Sequence, residues 1–189
     1  MVRGLEKFKE YFAGFEDNYV IIGGTACDIA LREHPDILGE QTGFHLTSIP
    51  IGEDISSLSA ILLDEEYYNQ TIEGSIIEEG IRIANPLSLI CLKAKAFLNL
   101  TEEKKINPNV RSSDIKKHRD DIFKLLAMRI DPFTPVELPG KMRENMNVFI
   151  NMIEQSLPNQ SLQDSLQRTN DDIRGYMDIM REIFGLIQP

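Results

Sequence analysis

The sequence predicts an α/β (α+β) fold in which short strands are set among helices and a helical region closes the chain. Three observations carry this expectation. A helix, a short apolar strand, a glycine turn and a second helix succeed one another before residue 31. Strand-like runs around an acidic turn precede an all-round apolar helix that opens at Asn85-Pro86. Past residue 131 the pattern is helical throughout, interrupted only by prolines. The expected division is therefore 1–131 for the α/β part and 132–189 for the C-terminal helical region.

Each element follows from local spacing. Leu5, Phe8, Phe12 and Phe15 recur at i, i+3, i+7 and i+10, one stripe of an amphipathic helix that Asp17-Asn18 ends. Tyr19 to Ile22 is short and mostly apolar with branched side chains, which suits a buried strand, and Gly23-Gly24 stops it. From Thr25 the spacing of Ala26, Ile29 and Ala30 is helical again. Residues 35–50, with two glycines and two prolines, read as loop, and His45 to Pro50 fits an edge strand that its proline terminates. Ser57 to Leu63 fits a strand or a short helix equally. Thr71 to Ala84 reads as strand pairs turning at Glu78-Glu79-Gly80.

Asn85-Pro86 places a capping side chain before a proline at the first helical position. The helix from Pro86 to about Leu100 is apolar on nearly every side, the mark of a buried helix, with Lys93 and Lys95 interrupting it. Residues 101–113 read as a polar connector. A helix over 113–130 follows, with Ile115, Ile122, Leu126 and Ile130 on one face. Pro132, Pro135 and Pro139 break the chain, and helices near 139–156 and 169–186 flank a turn at Pro158-Asn159. In the last of them Ile173, Tyr176, Met177, Met180, Ile183 and Phe184 form a clear stripe.

Composition narrows the function classes. The chain has 189 residues, 42% of them hydrophobic, enough for one sizeable core or a core with a helical appendage. No apolar run approaches the roughly 20 residues of a membrane span, and the N-terminus lacks a signal-peptide core, so a soluble cytoplasmic protein is expected. Cys27 and Cys91 both fall inside apolar patterns and read as buried free thiols. His34, His45 and His118 are scattered, which makes a structural zinc site improbable. A net charge of −10 argues against nonspecific nucleic-acid binding but not against a local basic patch. The one such cluster spans 111–119 and holds Arg111, Lys116, Lys117, His118 and Arg119.

Three features carry candidate chemistry, each beside a plainer role. Gly23-Gly24, between strand and helix, lets backbone approach a ligand closely and aims helix N–H groups at a phosphate. The same pair also serves as a tight turn for strand–helix packing. Lys93, on a helix apolar all round, must reach solvent or pair with a carboxylate or phosphate. Asp121 lies at the edge of its helix's apolar face, placed to orient a lysine or hold a substrate group. It serves equally as a solvated flank paired with Lys117.

In order and context these features resemble the AbiEii-type nucleotidyltransferase toxins, the catalytic half of type IV toxin–antitoxin systems. Tyr19 to Ile29, YVIIGGTACDI, is similar to that family's first motif, a strand ending in two small residues before a helix. Asn85 to Leu98, NPLSLICLKAKAFL, resembles its third, a helix whose essential lysine falls on Lys93. Lys117 to Leu125, KHRDDIFKL, resembles its fourth, whose aspartate falls on Asp121. The family's second aspartate one turn on is Lys124 here. The likeness spans roughly residues 1–130.

The resemblance implies a nucleotidyltransferase-like small mixed sheet flanked by helices, in a bacterial protein that transfers a nucleotide to RNA or protein. It implies Mg²⁺ and NTP as cofactors, a cognate antitoxin, and RNA contact through the 111–119 cluster. In that scheme Gly23, Gly24 and Thr25 bind nucleotide phosphate, while Lys93 and Asp121 are catalytic. The family's second motif, an Asp-x-Asp on the strand after the first helix, has no counterpart between Gly24 and Lys93. Glu53-Asp54 and Asp64-Glu65-Glu66 lack the alternation, and the latter reads as a turn, so the metal ligands are unknown. The motif spacing implies an α/β domain internally shortened near 29–32. A natural deletion, a degenerate paralogue and an edited chain would all read the same. Without metal carboxylates, transfer is expected to be impaired or absent, leaving a nucleotide- or protein-binding module as the alternative.

Overall fold

The computed structural model describes residues 4–32, 61, 64–128 and 135–186. The fold is mixed α/β and mostly helical, with eight α-helices and one two-stranded antiparallel sheet among the described residues. The chain divides into two compact units, Met1–Leu92 and Lys93–Pro189. The sequence boundary at 131/132 falls at residues outside those described.

In the first unit α1, Leu5–Phe12, ends a turn earlier than its stripe predicts, and Phe15 is exposed. A 3₁₀ turn at Glu16–Asn18 follows. The strand expected over Tyr19 to Ile22 is reduced to one parallel bridge, Ile21 with Ile83, closed by the Ile21 amide on the Arg82 carbonyl and the Ala84 amide on the Ile21 carbonyl, each at 2.9 Å. Glycine explains the short run: Ile22 is still extended, but Gly23 turns left-handed at φ 73 and starts α2, Gly23–Ala30.

The acidic segment Asp64-Glu65-Glu66 is not a turn. Asp64 caps α3, Glu65–Glu73, accepting the Glu66 amide at 3.1 Å, and two glutamates at a helix N-terminus are favoured by its dipole. Helix α3 also takes Thr71 to Glu73 out of the expected strand pairs. Strands β1, Ser75–Glu78, and β2, Ile81–Ala84, then form a hairpin. Its two-residue turn, Glu79 at φ 50 and Gly80 at φ 76, has both residues left-handed, as the twist of a tight hairpin demands. Glu79 accepts from Lys9 and Arg32, and the Lys9 hydrogen bond, then the Arg32 charge, holds its carboxyl below the usual range. Ile81, Ile83 and Ala84 are fully buried.

Helix α4, Pro86–Lys104, opens as its cap predicts: the Ser88 amide donates to Asn85 Oδ1 at 2.8 Å. Its all-round apolarity does mean burial, for Leu89, Ile90, Cys91, Leu92, Ala94 and Ala96 are all sequestered. Cys27 and Cys91 are both buried and in no disulfide, and burial pushes the Cys91 thiol up to about 12. The helix runs past Leu100 and consumes the first residues of the expected connector.

In the second unit α5, Ser112–Ala127, lies where its periodicity predicts. Helix α6, Gly140–Ser156, is followed by a short α7, Gln160–Leu166, that spacing does not reveal; Asn159 caps it by accepting the Leu162 amide at 3.0 Å. Helix α8, Asn170–Ile183, starts in a full capping box, Thr169 with Asp172. Its stripe of Ile173, Met177, Met180, Ile183 and Phe184 is buried, while Phe97 and Phe149 meet edge to face at 5.2 Å between α4 and α6. No helix of the described residues is long and apolar enough to cross a membrane.

Because Asn85 is the N-cap of a helix with a proline at its first position, Asn85→Ala should lower stability by about 1 kcal/mol. Chemical denaturation of the full chain measures it, and an unchanged midpoint would discount the cap.

Candidate functional site

The second unit holds a buried ion pair. Lys93 sits on α4 among apolar neighbours and is only 2% exposed, and Asp121 on α5 is 4% exposed. Lys93 Nζ donates to Asp121 Oδ2 at 2.5 Å. A lone charge in this setting would be very costly, so each residue's burial depends on the other's presence. Asp121 is not the edge residue that helical spacing suggests but lies fully inside, whereas Asp120 is half-buried and pairs with Arg119. Lys95 takes the milder course of the two lysines: half-buried, it donates to Asn145 Oδ1 at 3.3 Å.

A third group belongs to this cluster. His118 lies three residues before Asp121 on α5, one turn away on the same side. Its imidazole is driven down to about 4, first by burial and then by the Lys93 charge, with Lys117 adding to the shift and Asp121 and Asp114 opposing it. At neutral pH it is therefore uncharged. Its Nδ1 is buried and has no hydrogen-bond partner among the described residues. From sequence His118 counts with the basic cluster; its spacing from Asp121 is the one signal that could have assigned it here.

The cluster over 111–119 accordingly loses much of its basic character. His118 is neutral, Arg119 is buried against Asp120, and exposed Arg111 pairs with Asp114 at 3.1 Å. Lys116 and Lys117 are its remaining exposed cations.

The glycine turn belongs to the first unit. Gly23 and Thr25 are buried, Gly24 is half-exposed, and among the described residues the N-cap position of α2, Ile22, makes no side-chain cap. Uncapped first-turn N–H groups beside a residue without a side chain are what an anionic ligand requires. Thus the structure brings Lys93 and Asp121 together in one unit and Gly23, Gly24 and Thr25 together in the other.

Among the described residues, no three His, Cys, Asp or Glu side chains are grouped as metal ligands would be. Asp64 caps a helix, and Glu53-Asp54 lies outside the described residues.

Comparison with family models, with curated proteins and with solved structures finds no match to this chain.

Two outcomes follow from the cluster. Asp121→Ala strands a buried ammonium and should destabilise by about 3–5 kcal/mol, whereas Lys93→Met combined with Asp121→Leu should recover most of that loss. Thermal or urea unfolding of the two variants checks the difference, and equal losses would mean that the pair carries no coupling. The second outcome concerns pH. His118 binds its proton near 6.5 when unfolded but only near 4 when folded. The unfolded state therefore holds more protons between those values, and stability falls as pH drops from 6.5 toward 4. The loss is on the order of 2–3 kcal/mol. His118→Leu should flatten that stretch of a stability–pH curve, and a curve with unchanged slope would refute the assignment.

Proposed function

We propose that the chain is a nucleotidyltransferase-fold protein related to the AbiEii-type toxins, that its transfer activity is lost or much impaired, and that it retains a nucleotide-phosphate site at Gly23-Gly24-Thr25. One observation carries the reading. Lys93 and Asp121, assigned by resemblance from two separate motifs, form a single buried ion pair between two helices.

That pairing bears on mechanism in two ways. Two residues chosen for a shared role meet directly, as functional partners would. Yet the Lys93 charge is neutralised internally and withdrawn from solvent, so it is poorly placed to stabilise charge developing on a transferred phosphoryl group. The neutral His118 beside it has a buried Nδ1 with no hydrogen-bond partner among the described residues. The uncapped N-terminus of α2 keeps its own chemistry: backbone donors approach a phosphate over Gly24 without a side chain in the way. A cognate antitoxin, and RNA contact along Lys116 and Lys117, belong to the same reading.

The test has two arms. Labelled NTP, magnesium and either tRNA or protein acceptors should yield no detectable incorporation; robust incorporation that Lys93→Ala abolishes would overturn the loss of transfer. Calorimetry with NTPs should give saturable binding that Gly24→Ala weakens without shifting the thermal midpoint. Absence of both heat and thermal shift in the native chain would discard the nucleotide site and leave a protein-binding scaffold.

A further inference from the structure

The first unit contains a cleft of about 450 Å³, within the size range of small-ligand sites. Elements from both ends of the unit line it: Tyr19, Val20 and Ile22 before α2, Tyr68 and Ile72 on α3, and Arg82 on β2. None of Gly23, Gly24 or Thr25 lines it, so it is separate from the phosphate site above.

Its chemistry is specific in three respects. First, its walls are aromatic and aliphatic, and Tyr68 and Ile72 are roughly half-exposed, at 52% and 45%, rather than covered by packing. Such apolar area facing a concave space is stabilised by an apolar occupant. Second, the polar groups of the lining differ in their engagement. Thr71 and Ser75 donate their hydroxyls to the Tyr67 and Ile72 carbonyls, each at 2.7 Å. The Tyr19 hydroxyl is buried away from the cleft, so Tyr19 contributes its ring to the wall, backed by Phe8 and Phe12 with centroids 4.9 and 5.3 Å away. Third, Arg82, the cation of the lining among the described residues, is anchored by its Nε on the Glu16 carbonyl and its Nη1 on Ser75. Its Nη2 meets Asp17, whose side chain is 88% exposed and so readily displaced by a competing carboxylate.

We propose that this cleft binds a small aromatic carboxylate. The ring lies against Tyr19, Tyr68 and Ile72, and the carboxylate takes the place of Asp17 on Arg82. Apolar walls with one orienting charge are the usual make-up of a small-molecule site.

The test uses the full chain and the probe 2-naphthoate, with neutral 2-naphthamide as control, read by calorimetry and by NMR shifts of the tyrosine rings. Naphthoate should bind saturably and the amide about tenfold more weakly. Asp17→Asn should strengthen naphthoate binding severalfold, because it removes the carboxylate that competes for Arg82. Ile72→Trp, at an exposed position, should fill the cleft and abolish binding. Three results would overturn the proposal: no naphthoate binding at millimolar concentration, full binding by Ile72→Trp, or an unchanged affinity in Asp17→Asn. Since the phosphate site is read by NTP binding and by Gly24→Ala, either site can fail without the other.

Discussion

An ammonium and a carboxylate taken out of water together fix the second unit from within. Lys93 is tolerable at its place on α4 only if a counter-charge reaches it, and Asp121 supplies that charge from α5. Turning Asp121 inward sets the rotation of the whole helix: Ile122, Phe123, Leu125 and Leu126 go in with it, and so does Arg119. Arg119 in turn requires Asp120, and Asp120 accepts the Ser165 hydroxyl of α7 at 2.6 Å. A chain of obligations thus runs from one lysine through α5 to α7. The arrangement gains less in net stability than in uniqueness, because any other rotation of α5 leaves a charge buried alone.

The same pair frames the functional question as a competition for one charge. A catalytic lysine must keep its charge available to the reacting group, whereas a structural one must have it satisfied. Lys93 stands on the structural side of that divide, with the neutral His118 beside it adding no positive charge. Among the described residues both units contain unpartnered buried polar atoms, Tyr19 Oη in the first and His118 Nδ1 in the second, so the divide is set by the engagement of Lys93 itself.

Much of the fold is legible from sequence, and what is not has identifiable causes. The hairpin at Glu79-Gly80, the cap at Asn85 and the buried helix α4 can all be read, since each depends on near neighbours along the chain. The strand before Gly23 shrinks to a bridge because its pairing is decided by β2, some 60 residues on, and not by its own propensity. Helices α3 and α7 are short and start at Asp64 and Asn159, residues that serve turns and caps alike, so composition cannot separate the two. Within the site, Lys93 and Asp121 can be singled out individually, but helical spacing places Asp121 at an edge, and only tertiary packing decides that it goes inside. His118 is hidden by its company: beside Lys117 and Arg119 it counts as basic, and burial alone makes it neutral.

The two thiols supply a clock that nothing was added to provide. Cys27 and Cys91 both fall within Met1–Leu92, both are buried, and a thiol held near 12 carries almost no thiolate at neutral pH. An alkylating reagent therefore reacts only when that unit opens, while the residues from Lys93 onward contain no cysteine to answer it. Labelling kinetics at these native positions report the breathing of one unit and are silent about the other, so the unit before Lys93 can be timed without altering a residue.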